Sequence, residues 1–249
     1  MNHANTNKEP RSAATPQGLA LVMALAVVTG CGGAPQPKAP EATNDREASS
    51  REASSGPSVE SEIGGLNEAQ VKATFGRASN SLSACFNKGA ERLPYLSGEV
   101  RFVLRIKQDG APRFAFVKDS SLGDRVTEEC MLKALKSLTW PKPQGGEGIA
   151  ENSFTFEPGA DERPPVALTP EQLGKEFKKA QGALAKCHAT PGAIKATMYI
   201  ETDGKPLAIG ASSADERADA AIGCVISTLQ EVKFASPGSY AGKVTITLD

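Results

Sequence analysis

Five cysteines are the residues of this 249-residue sequence whose type and spacing point most directly to chemistry: Cys31, Cys85, Cys130, Cys187 and Cys224. A cysteine can fill an apolar core, ligate a metal, attack as a thiolate or close a disulfide. Compartment decides among these, because disulfides persist only outside the reducing cytosol. The segments around each cysteine therefore have to be read before the sulfur chemistry.

Cys31 ends an apolar run, Leu19 to Gly30, that follows a polar stretch carrying Lys8 and Arg11. A dozen apolar residues fall short of the roughly 20 that a membrane-spanning helix needs and match the central region of a secretory signal. Val28-Thr29-Gly30-Cys31 resembles the bacterial lipobox, in which the cysteine is lipidated and becomes the mature N-terminus. The expectation is a signal peptide over 1–30 and a lipid anchor on Cys31. Gly32 lacks the acidic character of an inner-membrane retention signal, which points to the outer membrane, facing the periplasm. Residues 31–65 are rich in Pro, Ala, Ser and Glu and include the tandem pentapeptide REASSREASS, Arg46 to Ser55. With so little apolar surface to bury, this stretch is expected to stay disordered, as a tether.

The other four cysteines belong to a repeat. Leu66, Gln70, Phe75, Ala78, Leu82 and Cys85 recur at a constant offset of 102 as Leu168, Gln172, Phe177, Ala180, Leu184 and Cys187. Beyond the cysteine the offset becomes 94. It then carries Gly98 onto Gly192, Asp109-Gly110 onto Asp203-Gly204, Cys130 onto Cys224, Trp140 onto Phe234 and Pro143 onto Pro237. A shared register over this length reads as a duplication. In each copy Asn67 or Thr169 starts a helix with a capping pattern, and apolar residues step by three and four up to the cysteine. Strict alternation follows, at Val100, Phe102, Leu104 and Ile106, and at Ile194, Ala196, Met198 and Ile200. This is the period of a strand. An Asp-Gly turn leads to a second strand, then to a second helix (124–138 and 214–232) and a closing strand (152–156 and 243–248). The predicted fold is α+β, with two tandem αββαβ domains over 66–157 and 168–249, a linker at 158–167, and two helices on one face of each sheet.

Each copy has one cysteine on the apolar stripe of each helix. In an oxidising periplasm Cys85 is expected to join Cys130, and Cys187 to join Cys224. Closing such loops contributes roughly 4 kcal/mol each at the upper end, which matters for units too small to build a large core. Reduced core thiols are the alternative. A zinc site would need more ligands at short spacings, and His188 is the one histidine after Cys31. No metal or other cofactor is expected.

The segment Ser120 to Pro143, SSLGDRVTEECMLKALKSLTWPKP, together with the strand start Leu96-Ser97-Gly98-Glu99-Val100, resembles the C-terminal domain of myxobacterial adventurous-gliding-motility proteins of the AgmX/PglI type. More distantly it is similar to the TonB C-terminal domain. The resemblance covers Leu66 to Glu157. In the second copy Trp140-Pro141 has become Phe234-Ala235. It implies a periplasmic protein–protein interaction or scaffold module, with partners engaged by strand addition at a sheet edge. A role in a motility or transport complex of the envelope is part of that implication. The sequence carries no G-x-S-x-G, S-x-x-K, H-E-x-x-H or G-K-[ST] motif, and Glu128-Glu129 are adjacent on a helix and diverge. A non-enzymatic protein is expected, with an envelope hydrolase as the remote option.

A second binding mode has its own residues. Arg101 and Arg105 alternate with the apolar positions of the first strand, and Arg113 opens the next. Such a basic sheet face suits an anionic envelope polysaccharide or peptidoglycan. The chain as a whole carries 28 Lys and Arg against 29 Asp and Glu, a net charge of −1. That balance gives no support for nucleic-acid binding.

Overall fold

Helix starts in this chain are written in single side chains. In the computed structural model, which describes residues 65–187 and 189–248, Asn67 caps α1 (Glu68–Arg92) by accepting from the Gln70 amide at 3.0 Å. Asp124 does the same for α2 (Arg125–Lys136) by accepting from Thr127. Phe75, Ala78, Leu82 and Cys85 form the buried stripe of α1, as their spacing predicts. The signal peptide, the tether and Cys31 lie outside the described residues.

Between the helices run β1 (Gly98–Ile106) and β2 (Pro112–Ser120), and β3 (Gly148–Phe156) closes the half. The three strands form an antiparallel sheet in the order β2-β1-β3. Val100, Phe102, Leu104 and Ile106 are fully buried beneath the helices. The Asp109-Gly110 turn is held twice: the Asp109 carboxylate accepts from the Ala111 amide at 2.9 Å, and Gly110 sits at φ 87°. A Cβ there would also come within 2.6 Å of the Trp140 carbonyl oxygen. Glycine is therefore required by conformation and by crowding.

The second half repeats the order of elements with its own details. It contains α3 (Gly174–Leu184), β5 (Ile194–Ile200), β6 (Pro206–Ser213), α4 (Glu216–Asp219), α5 (Ile222–Gln230) and β7 (Gly242–Leu248). The end of the 158–167 linker adds β4 (Val166–Ala167), paired parallel to the start of β7, so the second sheet runs β4-β7-β5-β6. In both halves the aromatic exit returns to the turn glycine, with Trp140 N donating to Gly110 O (3.0 Å) and Phe234 N to Gly204 O (2.8 Å).

Three local departures from the sequence expectation have physical causes. The first turn at Thr169 forms a capping box but is a 3-10 turn, Pro170–Leu173. Leu173 O is taken by the Ala235 amide at 3.1 Å, and Gly174 swings to φ 83° before α3 starts. The expected single helix over 214–232 is two helices, because the chain tightens to i→i+3 bonds at Ala220 and Ala221 between α4 and α5. Finally, β2 bulges near Lys118 where β6 does not, so the pairing partners Ser120 and Ser213 differ by 93 rather than 94.

Each half has its own apolar core, but the boundary between them is not a linker-separated gap. Tyr199 of β5 is buried in the core of the first half. Both halves belong to one compact unit.

Candidate functional site

The two cysteine pairs are both closed, Cys85–Cys130 with Cα atoms 5.7 Å apart and Cys187–Cys224 at 5.6 Å. Each bridge ties the long first helical segment of its half to the second. They differ in cover: Cys85 and Cys187 are buried, Cys130 is half-buried and Cys224 is exposed. Among the described residues no group of three or more His, Cys, Asp or Glu side chains gathers to hold a metal, and no helix is long and apolar enough to cross a membrane.

The three arginines of the expected basic face do converge on one side of the first sheet, and each meets a carboxylate. Arg101 lies 3.5 Å from Glu151, Arg105 lies 3.7 Å from Glu147 and 3.4 Å from Glu216, and Arg113 lies 2.9 Å from Glu147. In a cleft of about 620 Å³ beside Arg105, Lys107 and Arg113, Glu147 and Asp109 offset most of the positive charge. Exposed pairs of this kind contribute little to stability, but they weaken the field that an anionic polymer would follow.

Sheet edges differ in what lies beside them. The outer strands β2 and β6 lie against each other across the seam between the halves. The start of β7 is covered by β4 at Gly242 and Lys243. Along all nine residues of β3, no strand among the described residues bonds the edge turned away from β1. That edge carries unpaired N–H and C=O groups, a template for another strand.

The seam is where buried polar groups gather. Glu128, on α2, is fully buried. Its Oε1 accepts from Ser120 Oγ at 2.7 Å, and its Oε2 accepts from the Ala211 amide of the other half at 3.2 Å. Ser120 in turn accepts from Leu122 N, and Thr197 Oγ1 donates to Ser120 O at 3.2 Å. Burial pushes the Glu128 carboxyl up to about 7, against the pull of the Ser120 hydroxyl bond and the Arg125 charge. Gly210 makes the approach possible, since a Cβ there would fall 2.5 Å from Glu128 Oε1 and 2.7 Å from Asp124 N.

A second contact lies at the far end of the seam. Tyr199 donates its hydroxyl to Ser97 O and accepts from Ser97 N, both at 3.2 Å, while Lys243 Nζ donates to the same carbonyl at 2.7 Å. Burial lowers Lys243 to about 8 and raises Tyr199 to about 12. All three tyrosines of the chain meet here, with Tyr95 ring centroids 5.7 Å from Tyr199 and 5.8 Å from Tyr240.

Reading Glu128 and Glu129 only as adjacent, divergent acids missed the position of Glu128. It stands three, four and seven residues before Met131, Leu132 and Leu135, on the buried stripe of α2. At offset 94 the second half carries Ile222 there. A charged residue in an apolar stripe whose repeat partner is isoleucine was the available signal. The seam itself had none, because it depends on how the two sheets meet. No family model, curated protein or solved structure matches this chain.

Proposed function

We propose that this chain is a non-enzymatic envelope lipoprotein whose folded part is a protein-interaction or scaffold module, built from two diverged TonB-like αββαβ copies and held to the outer membrane through Cys31. The observation that carries the reading is the nine-residue edge of β3, which no strand among the described residues pairs. A partner segment adding there as an extended strand gains main-chain hydrogen bonds along a preformed sheet. The two disulfides and the lack of a spanning helix among the described residues support a compartment outside the cytosol. Glu128, the carboxyl with the strongest upward shift, is sealed from substrate by both halves, which supports binding rather than catalysis. The pairing of Arg101, Arg105 and Arg113 with glutamates weighs against the polysaccharide reading.

Placing a lysine on the edge, Thr155→Lys, at an exposed position opposite Glu99, tests the proposal, because charged edge residues block strand addition. The expected result is loss of a defined partner from envelope extracts with the melting temperature unchanged. Retention of that partner by the lysine variant, with loss in Arg101→Ala/Arg105→Ala, would favour the anionic-polymer reading instead.

A further inference from the structure

We infer that the Glu128 carboxyl is a proton-operated latch between the halves: neutral, it holds the seam shut, and ionised, it loosens the seam and uncovers the facing edges of β2 and β6. The inference stands apart from the identity of any partner.

Full burial between the halves, with no cation among the described residues within ion-pair distance, favours the neutral form of Glu128. The Ser120 hydroxyl and the Ala211 amide, one donor to each oxygen, pull the other way and do not outweigh the burial. On its own helix the nearest charges are Asp124 and Arg125. Asp124 is bound to Arg92 of α1 at 2.6 Å, and Arg125 gives its Nε to Glu129 at 2.9 Å. From the second half, β6 presents the uncharged Gly210 and Ala211, and Lys195 of β5 is held by Asp119 at 3.1 Å. On α4, Asp219 is a half-buried carboxyl, itself raised by burial, and Arg125 is the first charge that offsets it. Ionising Glu128 thus adds a third carboxylate to a seam that holds Asp124 and Asp219, in a place without water to solvate it.

The linkage has a definite sign. An opened seam returns Glu128 to its ordinary value of 4.5, while the closed seam holds it near 7. Closure is therefore at its most stable below about 4.5. The opening constant then rises roughly tenfold per pH unit until about 7 and levels off once both states are ionised.

The experiment is residue-resolved amide hydrogen exchange on the full chain between pH 5 and 8, corrected for intrinsic rates. Ala211 and Ser97, whose amides bond across the seam, report its opening, and Leu104, in the middle of the central strand β1, reports global unfolding. The latch predicts that Ala211 and Ser97 lose protection about tenfold per pH unit up to about 7 and then plateau, and that at every pH they exchange much faster than Leu104, through an opening of lower free energy than global unfolding. Glu128→Gln, which keeps an acceptor for Ala211, is expected to remove the slope. A flat wild-type profile, a Gln variant that follows the wild type, or exchange of Ala211 and Ser97 no faster than that of Leu104 would each overturn the latch. The wild-type profile decides the matter even if the variant does not fold.

Discussion

The two halves share an order of elements and differ in how much of their stability is their own. The first has a continuous 25-residue α1, a core with Phe75 edge-on to Trp140 at 4.8 Å, and Phe86 stacked on Phe156. The second starts with a 3-10 turn, splits its second helix, and places Phe177 and Phe234 6.3 Å apart. Where Trp140 fills the space between the helices of the first half, an apolar groove of about 900 Å³ lies between α3 and α5 beside Phe234. The second half meets the first through its sheet, giving Tyr199 to the other core and the Ala211 amide to Glu128. Two units with the same order of elements thus act as a donor and an acceptor of contacts.

Tyr199 and its repeat counterpart Arg105 give the sharpest contrast. Tyr199→Ala should cost about 4 kcal/mol, the scale for deleting a buried aromatic, although it removes a residue of the second half from the first core. Urea denaturation followed by Trp140, the single tryptophan and a probe of the first half, measures this. Arg105→Ala, on the exposed face, should stay within about 0.5 kcal/mol. Equal costs at the two positions would break the asymmetry.

The disulfides should be alike in thermodynamics and unlike in access. They span separations of 45 and 37 residues, so removing either pair as Cys→Ala should cost a similar amount, about 3–4 kcal/mol. A small thiol should nevertheless reduce Cys187–Cys224 first, because Cys224 is exposed. Mass spectrometry of alkylated time points checks the order.

Folding stability should fall by about 1.4 kcal/mol per pH unit as pH rises from about 4.5 to about 7, through the raised carboxyl of Glu128. The difference between wild type and Glu128→Gln isolates this slope from the other carboxyl groups. A smaller cost is expected of Trp140→Phe, which makes the first half resemble the second. It should cost about 1–2 kcal/mol, through lost packing on Phe75 and the lost indole bond to Leu135 O.

Much of this fold was legible because its determinants are local. Caps at Asn67 and Asp124, alternation along β1 and β5, and turn glycines at 110 and 204 each act within a few residues. The pairs Cys85–Cys130 and Cys187–Cys224 form as expected, but only Cys85 and Cys187 lie on buried stripes; Cys130 and Cys224 flank the stripes of α2 and α5, contrary to the expected placement. The breaks at Gly174 and Ala220 were less legible, since Leu173 is tied to Ala235, some sixty positions away. The arginine face was found, but its neutralisation by Glu147, Glu151 and Glu216 depends on β3 and α4 folding over it. Glu128 was marked by its place on the apolar stripe of α2, but what encloses it, β6 of the other half, is a property of two sheets meeting that no periodicity within one segment encodes.

Titrating the Glu128 side-chain carboxyl carbon by NMR in the intact chain tests the seam most directly. A midpoint near 7 is the result expected of a carboxyl enclosed by both halves. A midpoint near the ordinary 4.5 would mean that water reaches it and that the halves do not close on one another as described.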